Sequence, residues 1–181
     1  MLLIDEIYQS FKNKTRPGIK WKMVGDMWSR MDFIQETFVG VQTITEFGPF
    51  QGCSTAAWLK LNPKKFTTVD QGIALEIDLF KAAAEEIGVE FNFIVNSDLN
   101  IIIEPCELLF IDTVHTEDHT FKELELHADK VTRYLVFHDI VESRFGTLAG
   151  IKKWWKNHPE WIEKYSDHND CGFLVLEKIN E

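Results

Sequence analysis

The stretch from Ile44 to Thr55, which reads ITEFGPFQGCST, constrains the fold of this chain more than any other feature. The β-branched residues from Val39 to Ile44 predict a buried strand leading into it. Gly48 and Gly52 then bracket a turn in which side chains would obstruct close approach of the backbone. The stretch therefore predicts a strand followed at once by a tight, glycine-bracketed turn.

A short helix is predicted directly after this turn. Ser54 or Thr55 is suited to cap a helix over residues 56–61, which ends at Asn62-Pro63. Such a turn presents backbone N–H groups and the positive end of a helix dipole to a ligand. The segment is thus a candidate binding loop.

Strand-like and helix-like patterns alternate along the rest of the chain. Further strands are predicted at 65–70, 89–95, 108–112 and 134–139, and helices at 4–12, 27–38 (introduced by Gly25-Asp26), Leu75–Gly88, 116–129 and 149–157. Residues 161–165 and 171–176 read as a closing antiparallel pair. The alternation predicts an α/β fold with a mostly parallel sheet covered on both faces. Residues 99–106 are too few for a crossover helix, so we expect an extended link there.

The helix predicted at 116–129 is expected to turn Phe121, Leu124 and Leu126 toward the core.

Polar residues gather where the predicted strands end. They are Glu46 with Gly48, Asp70, Ser97 with Asp98, Asp112 with His115, and His138 with Asp139. Ligands of open α/β sheets bind outside the carboxyl ends of the strands. The sequence therefore predicts a ligand site lined by these residues.

Charge and composition narrow the function classes. The formal net charge of −10 argues against broad binding to nucleic acid or anionic membranes. The basic run Lys152–Lys156 is interpreted as the solvated face of an amphipathic helix with both tryptophans inward. The chain has no run of 18 apolar residues, and its N-terminus lacks the features of a signal peptide. We therefore expect a cytoplasmic protein.

The chain length and the cysteines give two further expectations. At 181 residues the chain is expected to form one domain with its own core. Its three cysteines, Cys53, Cys106 and Cys171, match neither a zinc pattern nor a disulfide framework. We expect them to be buried free thiols.

Five segments together resemble the class I S-adenosylmethionine-dependent methyltransferases. The likeness is greatest to the small-molecule O-methyltransferase branch that includes cephalosporin-hydroxylase-like proteins. The segments are 46–55, 109–115, 134–140, 150–155 and 172–176, and the resemblance spans roughly residues 40–177. Two features depart from the family pattern. Phe50 stands where many relatives have a glycine, and Thr113-Val114 replaces the usual Gly-Asp.

The resemblance implies a Rossmann-like, doubly wound sheet of seven strands with an antiparallel C-terminal hairpin. It further implies a single domain over 1–181, with N-terminal helices at 1–38 and a core at 40–177. S-adenosylmethionine would lie over the glycine turn, and Asp70 would accept hydrogen bonds from its ribose. Ser97 and Asp98 would contact the adenine side, and Glu46, Gly48, Gly52 and Ser54 would shape the methionine end. Asp112 completes the set of cofactor-binding residues.

Methyl transfer to a hydroxyl requires that the acceptor lose its proton. Asp112, His115, His138 and Asp139 are the groups available. One hypothesis is Mg²⁺ held by Asp112 and Asp139. The other is metal-free, with His115 or His138 as base, because an unperturbed imidazole titrates at about 6.5. The absence of an acid at position 114 favours the second hypothesis.

Two plainer interpretations of these histidines remain. His138 and Asp139 can also be explained as a cap of the following turn. His115 and His119 have a spacing that zinc can use, but no third ligand is recognisable, and the predicted helix explains both positions.

The sequence thus predicts a methyltransferase that acts at oxygen on a small-molecule acceptor. The alternative is a non-catalytic or differently reactive member of the same fold that binds S-adenosylmethionine or another ligand. No lid insertion is evident, so the acceptor pocket is either open or completed by a second subunit in a homodimer.

Overall fold

The computed structural model describes residues 1–22, 26–72 and 76–179, and over these residues the chain forms six helices and seven strands. The helices are α1 (Leu3–Lys12), α2 (Met27–Thr37), α3 (Cys53–Lys60), α4 (Ile77–Ile87), α5 (Glu117–His127) and α6 (Thr147–Trp155). The strands are β1 (Thr43–Phe47), β2 (Lys65–Asp70), β3 (Glu90–Val95), β4 (Cys106–Ile111), β5 (Val131–His138), β6 (Trp161–Asp167) and β7 (Phe173–Lys178). Short 3₁₀ turns lie at Asp98–Asn100 and Ala128–Lys130.

The fold class predicted from the sequence is confirmed. The seven strands belong to one mixed sheet that is mostly parallel and carries an antiparallel C-terminal hairpin, flanked by helices. The chain divides into two compact units, Met1–Asn96 and Ser97–Glu181.

The first unit contains three parallel strands in the order β3-β2-β1. In α1 the apolar residues Ile4, Ile7, Tyr8 and Phe11 recur on one face, and all four are buried. Helices α1 and α2 both pack against α3, whose Trp58 is fully buried. The interior of this unit is rich in aromatic rings.

The second unit pairs β4 with β5 in parallel, and then β5 with β7 and β7 with β6 in antiparallel fashion. Helices α5 and α6 pack closely because Gly150 has no side chain. A Cβ atom at this position would lie 2.5 Å from the main-chain oxygen of Glu117. This contact positions α5, which carries several polar residues on its inward face.

Two segment predictions near the glycine turn are wrong. The first strand begins at Thr43, and Val39 lies before it in a turn with 73% of its surface exposed, so β-branching alone misplaced the strand. The following helix begins at Cys53 with Gly52 as its N-cap, so neither Ser54 nor Thr55 caps it.

The inward face of α5 also differs from the prediction. Leu124 is buried, but Phe121 and Leu126 are only half-buried, and Glu123 and His127 occupy the interior instead. Polar partners from other segments explain this reversal, as described below. Residues 101–105 form an irregular link before β4, as expected from their small number. The predicted boundary residues Gly25 and Leu75 lie outside the described residues.

The cysteines, the tryptophans of α6 and the apolar character of the helices bear on the expectations drawn from composition. Cys53, Cys106 and Cys171 are buried free thiols, as predicted. Trp154 is buried and Trp155 is half-buried, with its Nε1–H donating to the main-chain oxygen of Trp161 at 2.7 Å. Across the described ranges, none of the helices has the length and apolar character needed to cross a membrane.

Candidate functional site

The turn after β1 is built from left-handed backbone. Gly48, Phe50 and Gly52 have φ angles of 80°, 44° and 91°. The Gly48 N–H donates to the main-chain oxygen of Val69 at 3.0 Å, and the Gly52 N–H donates to that of Pro49 at 2.8 Å. Glycine adopts such angles at little cost, which explains both glycines, whereas Phe50 is strained there. The turn is thus a fixed, compact loop.

This loop leads directly into α3. Gly52 is the N-cap and has no side chain to satisfy the N–H groups of the first helical turn. Those groups, together with the helix dipole, favour a polar or negatively charged ligand group. Ser54 lies in this first turn and is buried.

Glu46 ties the strand to the helix. Its carboxylate is fully buried, and the Thr55 hydroxyl donates to its Oε2 at 2.8 Å. Thr55, considered from the sequence only as a cap, therefore holds β1 and α3 together across the turn. The predicted site residue Glu46 acts here by positioning the loop.

Asp70 ends β2, the strand that pairs with β1. Its Oδ1 accepts a hydrogen bond from the Gly72 N–H at 3.0 Å, and the side chain is half-buried. The Asn96 N–H donates to its main-chain oxygen at 3.0 Å. The carboxylate is thus oriented and accessible, as a group that accepts hydrogen bonds from hydroxyls must be.

Four predicted residues of the second unit meet in one group, which we call the open cluster: Asp112, His115, His138 and Asp139. His115 Nε2 lies 3.1 Å from Asp112 Oδ1 and 2.9 Å from Asp139 Oδ2. His138 Nδ1 lies 3.3 Å from Asp112 Oδ2 and 3.5 Å from Asp139 Oδ1. Each carboxylate thus faces both imidazole rings.

The backbone around the open cluster makes this arrangement possible. Asp112 directly follows β4, and His138 is the last residue of β5. Asp139 has a φ of 55°, which turns its side chain back toward the preceding strand end. His115 is held in place because the Gly146 N–H donates to its main-chain oxygen at 2.9 Å.

The charges in the open cluster reinforce one another. Burial alone would lower the pKa of His115, but its hydrogen bonds to Asp112 and Asp139 raise it to about 9. Burial likewise favours the neutral form of Asp112, yet His138 and then His115 hold its pKa well below the usual range. At neutral pH, His115 is therefore an imidazolium between two carboxylates.

The two histidines of the open cluster differ in solvent exposure. The His115 side chain is 33% exposed, whereas that of His138 is 2% exposed and lies edge-on to Phe173. A bound molecule can therefore reach the ring of His115. His138 is placed to orient the carboxylates from behind.

The open cluster also offers ligand atoms to a cation. Single atoms of Asp112, His138 and Asp139 all lie within 4.8 Å of one another. Mg²⁺ prefers an all-oxygen shell, however, and the third group here is an imidazole. This donor set does not suit Mg²⁺.

A second group of the same unit, which we call the closed cluster, consists of Asp98, His119 and Glu123. His119 Nε2 lies 2.7 Å from Asp98 Oδ2 and 3.7 Å from Glu123 Oε1. Asp98 and Glu123 are buried, and the side chain of His119 is 14% exposed. The carboxylate of Asp98, predicted to contact a cofactor, is thus directed toward α5.

Two further residues support the closed cluster. The Thr113 hydroxyl donates to Glu123 Oε1 at 2.6 Å, and His127 Nε2 lies 2.9 Å from the main-chain oxygen of Asp98. Ser97 precedes the cluster and caps the 3₁₀ turn, since its Oγ accepts from the Leu99 N–H at 3.3 Å.

Sequence reasoning missed most of the closed cluster. His119, Glu123 and His127 recur every four residues, which places them on one face of α5. This four-residue spacing was the feature of the sequence from which the cluster could have been predicted. His115 and His119 contact different clusters, so their zinc-like spacing has no structural role.

Comparison with known proteins identifies the fold. No protein-family model matches the sequence, and no curated protein matches it either. Among solved structures, an O-methyltransferase from Bacillus cereus in complex with SAH is similar, with a TM-score of 0.61 and 15% identity over 97% of this chain and 90% of that one. The magnesium protoporphyrin IX methyltransferase ChlM from Synechocystis PCC 6803, solved with bound SAM, has a TM-score of 0.64 and 8% identity over 98% of each chain.

A third neighbour is the N-methyltransferase NodS from Bradyrhizobium japonicum WM9, with a TM-score of 0.59 and 14% identity over 84% of this chain and 94% of that one. The fold is that of the class I methyltransferases. At these identities the likeness establishes the fold alone. The neighbours include enzymes named for transfer to oxygen and to nitrogen, so the fold leaves the acceptor atom open.

Proposed function

We propose that this protein binds S-adenosylmethionine and transfers its methyl group to the oxygen of a small-molecule acceptor. The observation that carries the proposal is the left-handed turn Gly48–Gly52 at the uncapped start of α3, beside the oriented carboxylate of Asp70. Three solved methyltransferases share the fold in which this turn occurs. The cofactor, when bound, supplies an activated methyl group on a positively charged sulfur.

Each predicted cofactor residue has a proposed task. Asp70 accepts hydrogen bonds from the ribose hydroxyls, since its carboxylate is accessible and held by Gly72. Gly48 and Gly52 allow close approach of the methionine end, and Glu46 and Ser54 shape the loop from within. From the resemblance, we propose Ser97 and Asp98 for the adenine side and Asp112 as a further cofactor-binding residue. Because the Asp98 carboxylate contacts His119, its contribution to the adenine side is the position of this segment.

We propose His115 as the group that takes the proton from the acceptor hydroxyl. The two flanking carboxylates orient its ring and stabilise the imidazolium that forms when it accepts a proton. Asp139 and His138 therefore act through His115 by positioning it. Since His115 already carries a proton at neutral pH, it must first lose that proton to water.

The same protonation favours a second candidate function. A histidine that stays protonated cannot take the proton from an acceptor hydroxyl. In this alternative the protein binds S-adenosylmethionine, or another ligand, without methylating anything.

We also propose the finer assignments that the sequence suggested. These are membership of the small-molecule O-methyltransferase and cephalosporin-hydroxylase-like branch, a single methyltransferase-like domain over 1–181, and a cytoplasmic location. A homodimer that completes the acceptor pocket belongs to the same proposal. The segments 109–115 and 134–140 support the branch assignment.

Calorimetric titration with S-adenosylmethionine and with SAH tests the cofactor assignment. We expect Asp70→Ala to weaken binding by about 10- to 100-fold, because hydrogen bonds to a charged group contribute about 1.5–3 kcal/mol. Asp78→Ala on the exposed start of α4 removes the same charge and should leave the affinity unchanged. No binding to the wild-type protein would refute both functions, and equal binding by the two variants would refute the role of Asp70.

A screen of hydroxylated small molecules with radiolabelled S-adenosylmethionine separates the two functions. We expect methyl transfer to at least one acceptor, at the same rate with and without a chelator. Rates that fall when chelator is added, and recover when Mg²⁺ but not Zn²⁺ or Mn²⁺ is restored, would overturn the metal-free mechanism. Cofactor binding without transfer to any acceptor class would favour the binding protein.

A further inference from the structure

We propose that the closed cluster binds one divalent transition-metal cation, of the Zn²⁺ or Mn²⁺ type, through Asp98, His119 and Glu123. This site is separate from the open cluster, and the proposal does not depend on binding of S-adenosylmethionine. The cation would join the segment that follows β3 to α5.

The distances within the closed cluster fit a shared cation. One ligand atom from each of the three residues lies within 4.8 Å of the other two. A cation about 2.0–2.2 Å from each ligand places the ligand atoms roughly 3–4 Å apart. His119 and Glu123 are already 3.7 Å apart, and the 2.7 Å between His119 and Asp98 needs to open by only a few tenths of an ångström.

The atom Glu123 Oε2 provides the independent evidence for a ligand. The side chain of Glu123 is 0% exposed, and Oε2 has no hydrogen-bond partner among the residues that the structure describes. Thr113 donates to the other oxygen, Oε1. A buried carboxylate oxygen without a donor is costly, so an unseen partner is expected there.

The charges of the closed cluster also call for a cation. Two buried carboxylates face one imidazole, and a divalent ion would balance both charges while leaving His119 neutral.

The donor types select the class of metal. One imidazole nitrogen with two carboxylate oxygens suits Zn²⁺ or Mn²⁺, whereas Mg²⁺ and Ca²⁺ prefer oxygen ligands alone. The residues around the cluster are arranged as outer partners of metal ligands usually are. Thr113 fixes the carboxylate of Glu123, and His127 fixes the main chain of Asp98.

A shared proton is the competing explanation. If Glu123 were protonated, its O–H would donate to Asp98 and no metal would be needed. The two explanations predict opposite results for Glu123→Gln, because glutamine imitates a protonated glutamate but is a poor metal ligand.

To test the proposal, bound metal is removed from the protein with a chelator. The protein is then titrated with ZnCl₂, MnCl₂ or MgCl₂ while the heat of binding and the melting temperature are measured. We expect one Zn²⁺ or Mn²⁺ per chain at this site, and a rise in melting temperature of about 5–10 °C at a 100-fold excess over the dissociation constant. Mg²⁺ should produce a much smaller rise.

Variants test whether the metal binds at the closed cluster. Glu123→Gln and His119→Gln should each weaken Zn²⁺ binding by at least about 100-fold. Glu125→Gln makes the same charge change at an exposed position of α5 and should bind as the wild type does. Asp112→Asn tests whether the open cluster, which offers the same donor types, takes the metal instead. Because the His119 ring is partly exposed, His119→Gln remains informative if Glu123→Gln fails to fold.

Three outcomes would overturn the proposal. They are no stoichiometric binding of Zn²⁺ or Mn²⁺ by the wild type, binding that is lost only in Asp112→Asn, and binding that is equal in Glu125→Gln and in whichever of the two cluster variants folds. A Glu123→Gln variant that is more stable than the wild type, with metals having no effect on either protein, would identify the shared proton instead.

Discussion

The open and closed clusters contain the same residue types but differ in their contact with solvent. In the open cluster one histidine ring is accessible and bridges two carboxylates at a strand end. In the closed cluster both carboxylates are buried and the side chain of the histidine is only 14% exposed. Perturbed titratable groups occur in both clusters, and the open cluster has the more accessible histidine ring.

The difference follows from the elements that carry each cluster. Asp112 and His138 stand at the ends of neighbouring parallel strands, where side chains leave the sheet and face a ligand. His119 and Glu123 stand on the inward face of α5, which must be packed. We therefore propose a reaction at the open cluster and a structural connection at the closed one.

The largest expected effect is that of Asp139→Asn on turnover. The change removes one of the two carboxylates that orient His115 and stabilise its protonated form, so we expect the turnover number to fall by about 10²- to 10⁴-fold. Asparagine also tolerates the left-handed backbone at this position, so the fold should be retained. Steady-state kinetics with the acceptor found in the screen measure this effect.

Asp129→Asn is the matched control for that change, because Asp129 is exposed. It should leave turnover unchanged. If Asp139→Asn kept turnover within threefold of the wild type, the open cluster would have no more catalytic importance than the closed one, and the contrast between them would fail.

An intermediate effect is expected for Thr113→Val, which tests how tightly the closed cluster is held. Valine has the shape of threonine but cannot donate to Glu123 Oε1, so a buried carboxylate loses a hydrogen bond of 2.6 Å. The free energy of unfolding should fall by about 1–3 kcal/mol. Urea denaturation in the presence of a chelator measures this change.

Thr132→Val provides the comparison for the hydroxyl change. Its Oγ1 donates to the main-chain oxygen of Cys106 at 3.2 Å, and the residue is exposed, so water can replace the bond. We expect a loss of less than about 0.5 kcal/mol. Equal losses in the two variants would show that the closed cluster is no more rigid than the surface.

The fold and the open cluster could largely be predicted from the sequence. The alternation of strands and helices predicted the sheet, and the polar residues at strand ends included all four members of the open cluster. The close contact of His115 with Asp139 could not be predicted, because it depends on the left-handed backbone of Asp139. A local pattern does not specify such a conformation.

The closed cluster could not be predicted for a different reason. Glu123 and His127 are polar, so the sequence of α5 alone gives no reason to place them in the interior. Their partners, Asp98 and Thr113, come from separate segments, and tertiary contacts override the pattern. The same holds for Thr55, whose partner Glu46 lies in the preceding strand.

The smallest effect is expected for Lys122→Ala. This variant tests how solvent exposure affects the strength of a side-chain pair, because α5 offers two pairs with the same spacing. Helix α5 carries two polar side-chain pairs with the same four-residue spacing, one position apart: Asp118 with Lys122, and His119 with Glu123. The Asp118–Lys122 atoms are closer, at 2.6 Å, yet both side chains are more than half exposed and water screens them. We expect the melting temperature to change by no more than about 1–2 °C, measured by calorimetry at low and at high salt. His119→Gln should shift it further, because its partner is buried, and a larger shift for Lys122→Ala would show that proximity outweighs burial along this helix.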